Sequence, residues 1–306
     1  MKNQITPFLS LALVAGMSFN VFAGVDFSHR PLTAGRASLT DTGYVEQRTI
    51  GVARMAPELT MPIELVYESS SEKTGAFGFA WRSPQFESSA VWDKDGMLWT
   101  SPWGESVKFF PKNEKTPKDA VKIEVVEEAK KGRGYFAPYS EWEADVSSGK
   151  PEADGNWIIR GKKSLVGWVF SYSSGRLAKI AAPTGRSADF SYDADGRLVA
   201  VSQDGTAFVS LAYDGALAKS VMVGGVTTTL AYEQRKLEIQ PRTKDGKVAH
   251  PVRPQLVSVK RGSLDAVKFG YEGNYLASIS QDAMRENIAF EKIDRAARII
   301  GDENFA

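Results

Sequence analysis

The chain has no cysteine and only two histidines, His29 and His250. Without cysteine there are no disulfides, no lipid-modified thiol and no thiol chemistry. With so few histidines, the commonest general base and metal ligand is nearly missing. His29 lies in "DFSHRPL" and His250 in "VAHPVRP", between prolines. Each reads as a surface-loop side chain rather than a base or ligand. The sequence holds no His-Glu-x-x-His, no Gly-x-Ser-x-Gly and no phosphate-cradling glycine loop. "RGKKS" at Arg160 ends like such a loop but lacks the glycine at the right distance. Carboxylate pairs of the glycosidase kind are too common to identify from sequence. No catalytic, cofactor-binding or metal-binding residue is assigned, no cofactor is expected, and the chain is read as a non-enzyme. A hydrolase with an unrecognised site is the alternative.

An excess of one charge is also missing. Lys and Arg number 38 against 37 Asp and Glu. A nucleic-acid partner is therefore not expected, since it requires a basic footprint. Long apolar runs are absent beyond the start. There Lys2 precedes "FLSLALVAGMSF" from Phe8, and "VFA" at Val21 to Ala23 stands before Gly24. This pattern reads as a signal peptide over 1–23, with Gly24 opening the mature chain. The alternative, a membrane anchor, needs a longer run than this one. The expected location is secreted, periplasmic or cell-surface, with no span left after signal removal. An exported chain without disulfides must be held by its core. At 306 residues, 42% apolar and 25% charged, it is long and apolar enough to have one.

What the sequence does have is repetition. From Trp168 onward five short stretches share one form, "FSY", "FSY", "LAY", "LAY" and "FGY". They begin at Phe170, Phe190, Leu211, Leu230 and Phe269, and end at Tyr172, Tyr192, Tyr213, Tyr232 and Tyr271. Gaps between tyrosines are 20, 21, 19 and 39 residues, the last about two periods. The large residue and the Tyr share one face of a strand, and the small residue between them takes the other. After each Tyr comes a turn and a Leu: Leu177, Leu198, Leu217, Leu237 and Leu276. Ile180, Val201 and Ile279 follow three positions later, a spacing that suggests a bulge. Each unit thus reads as strand, tight turn, strand.

In "FSYDADGRL", Asp193, Asp195 and Gly196 fall at the turn of the unit. Asp bonds its local backbone and Gly accepts positive φ, so a turn explains all three. A calcium loop would need Gly at its sixth position and Glu at its twelfth, and neither occurs. A catalytic carboxylate pair on a hairpin tip is the remaining alternative. One hairpin cannot bury its own apolar face, so neighbouring units should stack into a continuous, coiling sheet. Arg176 and Arg197, after the turn glycines, either lie on a neighbouring ring or sit solvated at an edge. "MRENIAFEKIDRAARII" from Met284 fits an amphipathic helix, and fits better a degenerate unit with Phe290 in place of Tyr. "GDENFA" would then lead into a further unit, as in an N-terminal piece of a longer protein or a truncated gene.

The first half alternates less regularly but is still β. "AVWDKDGMLWTSPWGESVKFF" from Ala90 reads as hairpins, and 111–134 as a Lys- and Glu-rich, solvated excursion. Trp92, Trp99 and Trp103 cluster at spacings of seven and four. Core packing explains them; exposed rings stacking on a glycan are the alternative.

The unit "FSYDADGRLVAV" resembles the YD repeat of the Rhs family. "PIELVYESSSEKTGAFGFAWR" is similar to the lead-in segment of Rhs cores, with Gly75, Phe77, Gly78 and Trp81 carrying the motif and Ala80 replacing a Gly. "NWIIRGKKSLVGWVFSYSSGRL" is similar to the strand pair before the first YD unit. The resemblance covers roughly Tyr44 to the end. It implies a β-sheet winding into a shell that, in large Rhs, insecticidal-toxin and teneurin proteins, encloses cargo or forms an extracellular spacer. With about six units, and no self-cleavage segment or toxin tail, this chain is expected to be all-β, an open, curled YD-shell-like sheet of tandem hairpins. The expected organisation is a signal peptide over 1–23, an Rhs-core-like β region over 24–160, and YD-like repeats over 161–306. The expected role is an exported structural or interaction protein with a protein or glycan partner, part of an Rhs-type shell or a surface assembly. A carbohydrate-binding module is the alternative among binding proteins.

Overall fold

A computed structural model describes residues 36–40, 43–94, 96–111, 134–136, 141–153, 155–237, 250–282, 284–293 and 296–302. The expected signal segment, His29 and nearly all of the charged excursion lie outside them. The described chain is almost entirely β, in two main sheets.

The larger sheet starts at Ser89–Asp93 and adds one antiparallel strand after another, in chain order, to Ala296–Asp302. Its early part curls back. Ser89 pairs with Arg176, and the Ala90 amide donates to the Gly175 carbonyl at 3.0 Å. Arg176–Ala181 thus lies at a fork. Its Lys179–Ala181 portion pairs with the next strand, Ser187–Tyr192, while its beginning meets Ser89. One bridge seals this curl, and the sheet beyond it stays open. Trp99, Trp142, Phe109 and Phe170 fill the curl, with ring centroids 5.3–6.3 Å apart.

Six hairpins follow from Val169. In each, the register shifts immediately before the Tyr, or before Phe290 in the last. The three-residue spacing explains the shift. Phe170 faces Ile180 and Tyr172 faces Leu177, so the return strand carries one extra residue and both partners still point inward.

Two repeat assignments are corrected by this register. Tyr213 faces Ala218, which is fully buried, whereas half-buried Leu217 faces Asp214. Tyr232 faces Leu256, not Leu237. Leu237 is buried and donates its amide to Pro251 O at 2.9 Å. The 39-residue gap is therefore one unit with a long connection between its strands, not two periods. The segment from Met284 is a hairpin, Met284–Ile293 with Ala296–Asp302, and Phe290 faces Ile299. The helical alternative falls.

The smaller sheet comprises Arg36–Thr40, Gly43–Arg54, Thr60–Glu68 and Trp81–Arg82. It packs onto the apolar face of the hairpins in one continuous core. A Cβ on Gly51 would sit 2.7 Å from Val223 Cβ, so glycine is what allows the sheets to approach there. Trp81 packs on Phe269 at 4.8 Å and Tyr67 meets Tyr271 edge-on at 6.4 Å. The inner face of the repeat sheet is covered by the chain's own N-terminal strands rather than left facing a hollow.

Candidate functional site: a cleft over the tyrosine row

The hairpin tyrosines form a row, and from Tyr192 onward each hydroxyl is spent on the unit before it. Tyr192 donates to Leu177 O, Tyr213 to Leu198 O and Tyr232 to Ala218 O, each at 2.8 Å. Tyr271 donates to Leu256 O at 2.5 Å. In every case the acceptor is the residue facing the preceding Tyr, which fixes Ala218 and Leu256 as the counterparts of Leu177 and Leu198. Burial raises these phenols: Tyr192 and Tyr213 reach about 12, and Tyr232 and Tyr271 go higher still. They act as neutral donors.

Tyr172, first in the row, has another arrangement. It accepts from Trp99 Nε1 at 2.6 Å and lies 2.8 Å from Ser88 Oγ. Ser88 donates its own proton to Thr100 O at 2.8 Å, so the Tyr172 proton goes to Ser88.

A strap, residues 73–89, crosses the row. It includes the short strands Thr74–Gly75 and Gly78–Phe79 and one helical turn, Pro84–Glu87. The Ala76 carbonyl accepts the Ala218 amide at 2.8 Å and lies 3.4 Å from Tyr232 OH. Gly78 has φ +90°, and a Cβ there would stand 2.9 Å from Pro254 O. Trp81 Nε1 donates to Tyr271 OH at 2.7 Å. Nearby, Tyr67 OH accepts the Leu276 amide at 3.0 Å.

Arginines cover tyrosines in the middle of the row. Arg176 lies over Tyr192 at 5.8 Å and Arg197 over Tyr213 at 4.9 Å, each from the preceding unit. This resolves their two readings in favour of the neighbouring ring. Gly196 holds φ +76°, and a Cβ there would collide with the Arg176 guanidinium. Among the described residues the strap makes no hydrogen bond to these two tyrosines, whose hydroxyls go to Leu177 O and Leu198 O. A cleft of about 270 Å³ opens above them, lined by Phe77, Phe86, Glu87, Arg176, Tyr192 and Tyr213, among others.

Its charges are unequal in kind. Arg197 is held by Asp193 at 2.7 Å and by Asp195 at 3.0 Å. The Arg197 amide bonded to Asp193, then its guanidinium, keep that carboxyl below its ordinary value. Asp193 also accepts the Arg197 amide at 2.8 Å, closing its own turn. Glu87 lines the cleft and is exposed at the surface, with Arg82 and Lys73 nearby. Lost hydration pushes its carboxyl up to about 7, against the pull of Arg82 and Lys73.

The three tryptophans take different places. Trp99 is fully buried, so no sugar can stack on it in this conformation. Trp92 and Trp103 are half-buried; their Nε1 atoms donate to Lys94 O at 2.9 Å and Glu105 Oε2 at 3.0 Å. Phe170, Phe190, Leu211, Leu230 and Phe269 all lie in the core. Sequence reading passed over Ser88, Glu87 and Ala76, which carry no motif of their own. The nearby glycines and Trp81 were the available signal.

The family model described as RHS Repeat matches residues 172–207, from the first hairpin tyrosine into the third hairpin. The chain carries an RHS repeat. Among solved structures, the crystal structure of TcdB2-TccC3 aligns at 12% identity and TM-score 0.38, over 87% of this chain and 16% of that one. The N-terminal domain of effector protein SpvB from Salmonella typhimurium strain LT2 aligns at 13% identity and TM-score 0.31, over 83% of this chain and 97% of that one. This chain thus spans about a sixth of TcdB2-TccC3. No curated protein matches.

Proposed function

We propose that this is an exported, non-enzymatic scaffold built of YD-like repeats, one that works through its outer surfaces in an Rhs-type shell or a cell-surface assembly. The observation that carries this reading is the covered inner face. Ile50, Ile63, Leu65, Tyr67 and Trp81 lie buried in the core shared with the repeats, where a cargo-enclosing sheet would need free space. The RHS repeat match supports the structural role. "FLSLALVAGMSF" and the small residues before Gly24 support export.

Expression of the whole gene in a Gram-negative host, with fractionation and N-terminal mass spectrometry, tests export. A mature chain starting at Gly24 outside the cytoplasm is expected, and cytoplasmic retention of the full-length chain would contradict it. A panel of ester, glycoside and peptide substrates tests the second half of the reading; saturable turnover would overturn it.

A further inference from the structure

We propose that the cleft over Tyr192 and Tyr213 is a docking groove for an extended segment of a partner protein that presents an acidic side chain to Arg176. The proposal rests on the scaffold reading above and gives it a specific contact.

The strap shows how a chain segment binds this row. At Tyr232 it offers the Ala76 carbonyl to the Ala218 amide, with the tyrosine hydroxyl close by. At Tyr271 it offers an indole N–H. A backbone carbonyl thus meets Tyr232 and a side-chain N–H meets Tyr271, the two kinds of contact an extended peptide makes. Over Tyr192 and Tyr213 the strap makes no such bond among the described residues, and Phe77 and Phe86 stand as apolar walls.

Charge selects the guest. Arg197 already has Asp193 and Asp195. Arg176 lines the same cleft, is exposed, lies over the Tyr192 ring at 5.8 Å and pairs with no carboxylate among the described residues. A guanidinium fixed on a ring presents its remaining donors in a planar fork that matches a carboxylate. Size selects further. The cleft, of about 270 Å³, is open on one side and small. It suits one side chain with its flanking backbone.

Glu87 makes the groove pH-dependent. The groups facing it are Arg82, Lys73 and Glu68 around the strap, with Arg176 and Arg197 across the cleft. As its carboxyl takes up a proton toward acid pH it ceases to oppose an acidic guest. Above neutrality its charge repels one.

The test uses the whole mature chain and two fluorescein-labelled, end-blocked peptides, Val-Glu-Phe-Glu-Val and Val-Gln-Phe-Gln-Val, followed by fluorescence polarisation at pH 6 and pH 8. The expected result is at least tenfold tighter binding of the Glu peptide at pH 6, with the preference shrinking at pH 8. Arg176→Gln should abolish the preference, and Glu87→Gln should restore it at pH 8. Shifts of the Tyr192 and Tyr213 ring resonances on adding the Glu peptide give a readout that needs no variant. Equal binding of both peptides, no saturable binding, or a preference that survives Arg176→Gln would overturn the groove. If crosslinking then finds partners on other surfaces, the groove falls and the scaffold stands. Turnover in the substrate panel would remove the scaffold itself.

Discussion

In four of the six hairpins a tyrosine hydroxyl ties the unit to its predecessor. Tyr192→Phe keeps the ring and leaves the Leu177 carbonyl without its 2.8 Å donor. A loss of about 1 kcal/mol is expected in urea unfolding. Tyr192→Ala also removes the packed ring and should cost about 3 kcal/mol or more. Asp193→Asn with Asp195→Asn keeps an acceptor for the Arg197 amide and removes one half-buried and one exposed ion pair, both at a hairpin tip. The urea midpoint should barely move, and calcium should leave the melting temperature unchanged. The repeat was legible because the strand period places Phe170 and Tyr172 on one face, and the bulge was legible from the Leu177 to Ile180 spacing. Ala218 was not, because a small residue sits where its siblings are Leu and the adjacent Leu217 is the more conspicuous match. Leu256 was hidden by the length of chain that separates it from Tyr232.

The strap depends on backbone approach, which pattern reading does not register. Gly78→Ala would force an L side chain to φ +90° and push a methyl into the Pro254 carbonyl. Neither backbone can yield cheaply, so a loss of roughly 2 kcal/mol or more is expected. It should come with faster amide exchange in the strap. Glu87 gives this element a pH signature. Its folded-state value, about 7, lies above the ordinary glutamate value of 4.5. The native state therefore holds the proton more tightly, and the contribution is present in full below about 4.5 and fades as pH rises through about 7. Calorimetry of Glu87→Gln beside the natural chain should show the natural chain losing ground to the variant between pH 5 and pH 8. A constant difference across that range would show that Glu87 does not titrate there. The cleft itself was illegible in sequence, since it arises where Arg176–Ala181 forks between two neighbours.

At the scale of the molecule, the two sheets hold each other. A half-buried repeat sheet of this size, with nothing on its inner face, would leave Phe190, Val201, Val221, Leu230 and Phe269 in water. Gly51→Val wedges a branched side chain against Val223, where even a Cβ comes within 2.7 Å. Overpacking of this kind costs about 1–3 kcal/mol. The variant should unfold at lower urea concentration and bind more of a hydrophobic dye before it does. Alternation and composition made an all-β chain with a real core readable. The identity of the filler was not readable, because a sequence pattern says that a face is apolar and does not say what lies against it.

The fourth hairpin keeps its Tyr232–Leu256 pairing and its Tyr232 bond to Ala218, although its strands are joined by a connection reaching from Leu237 to Pro251. Its neighbours make the same turn in a few residues. Hairpin tips are thus permissive ports: foreign sequence can be spliced there while the lateral contacts continue undisturbed. New binding loops could be gained at the crests one at a time, by evolution or by grafting, with no redesign of the body beneath.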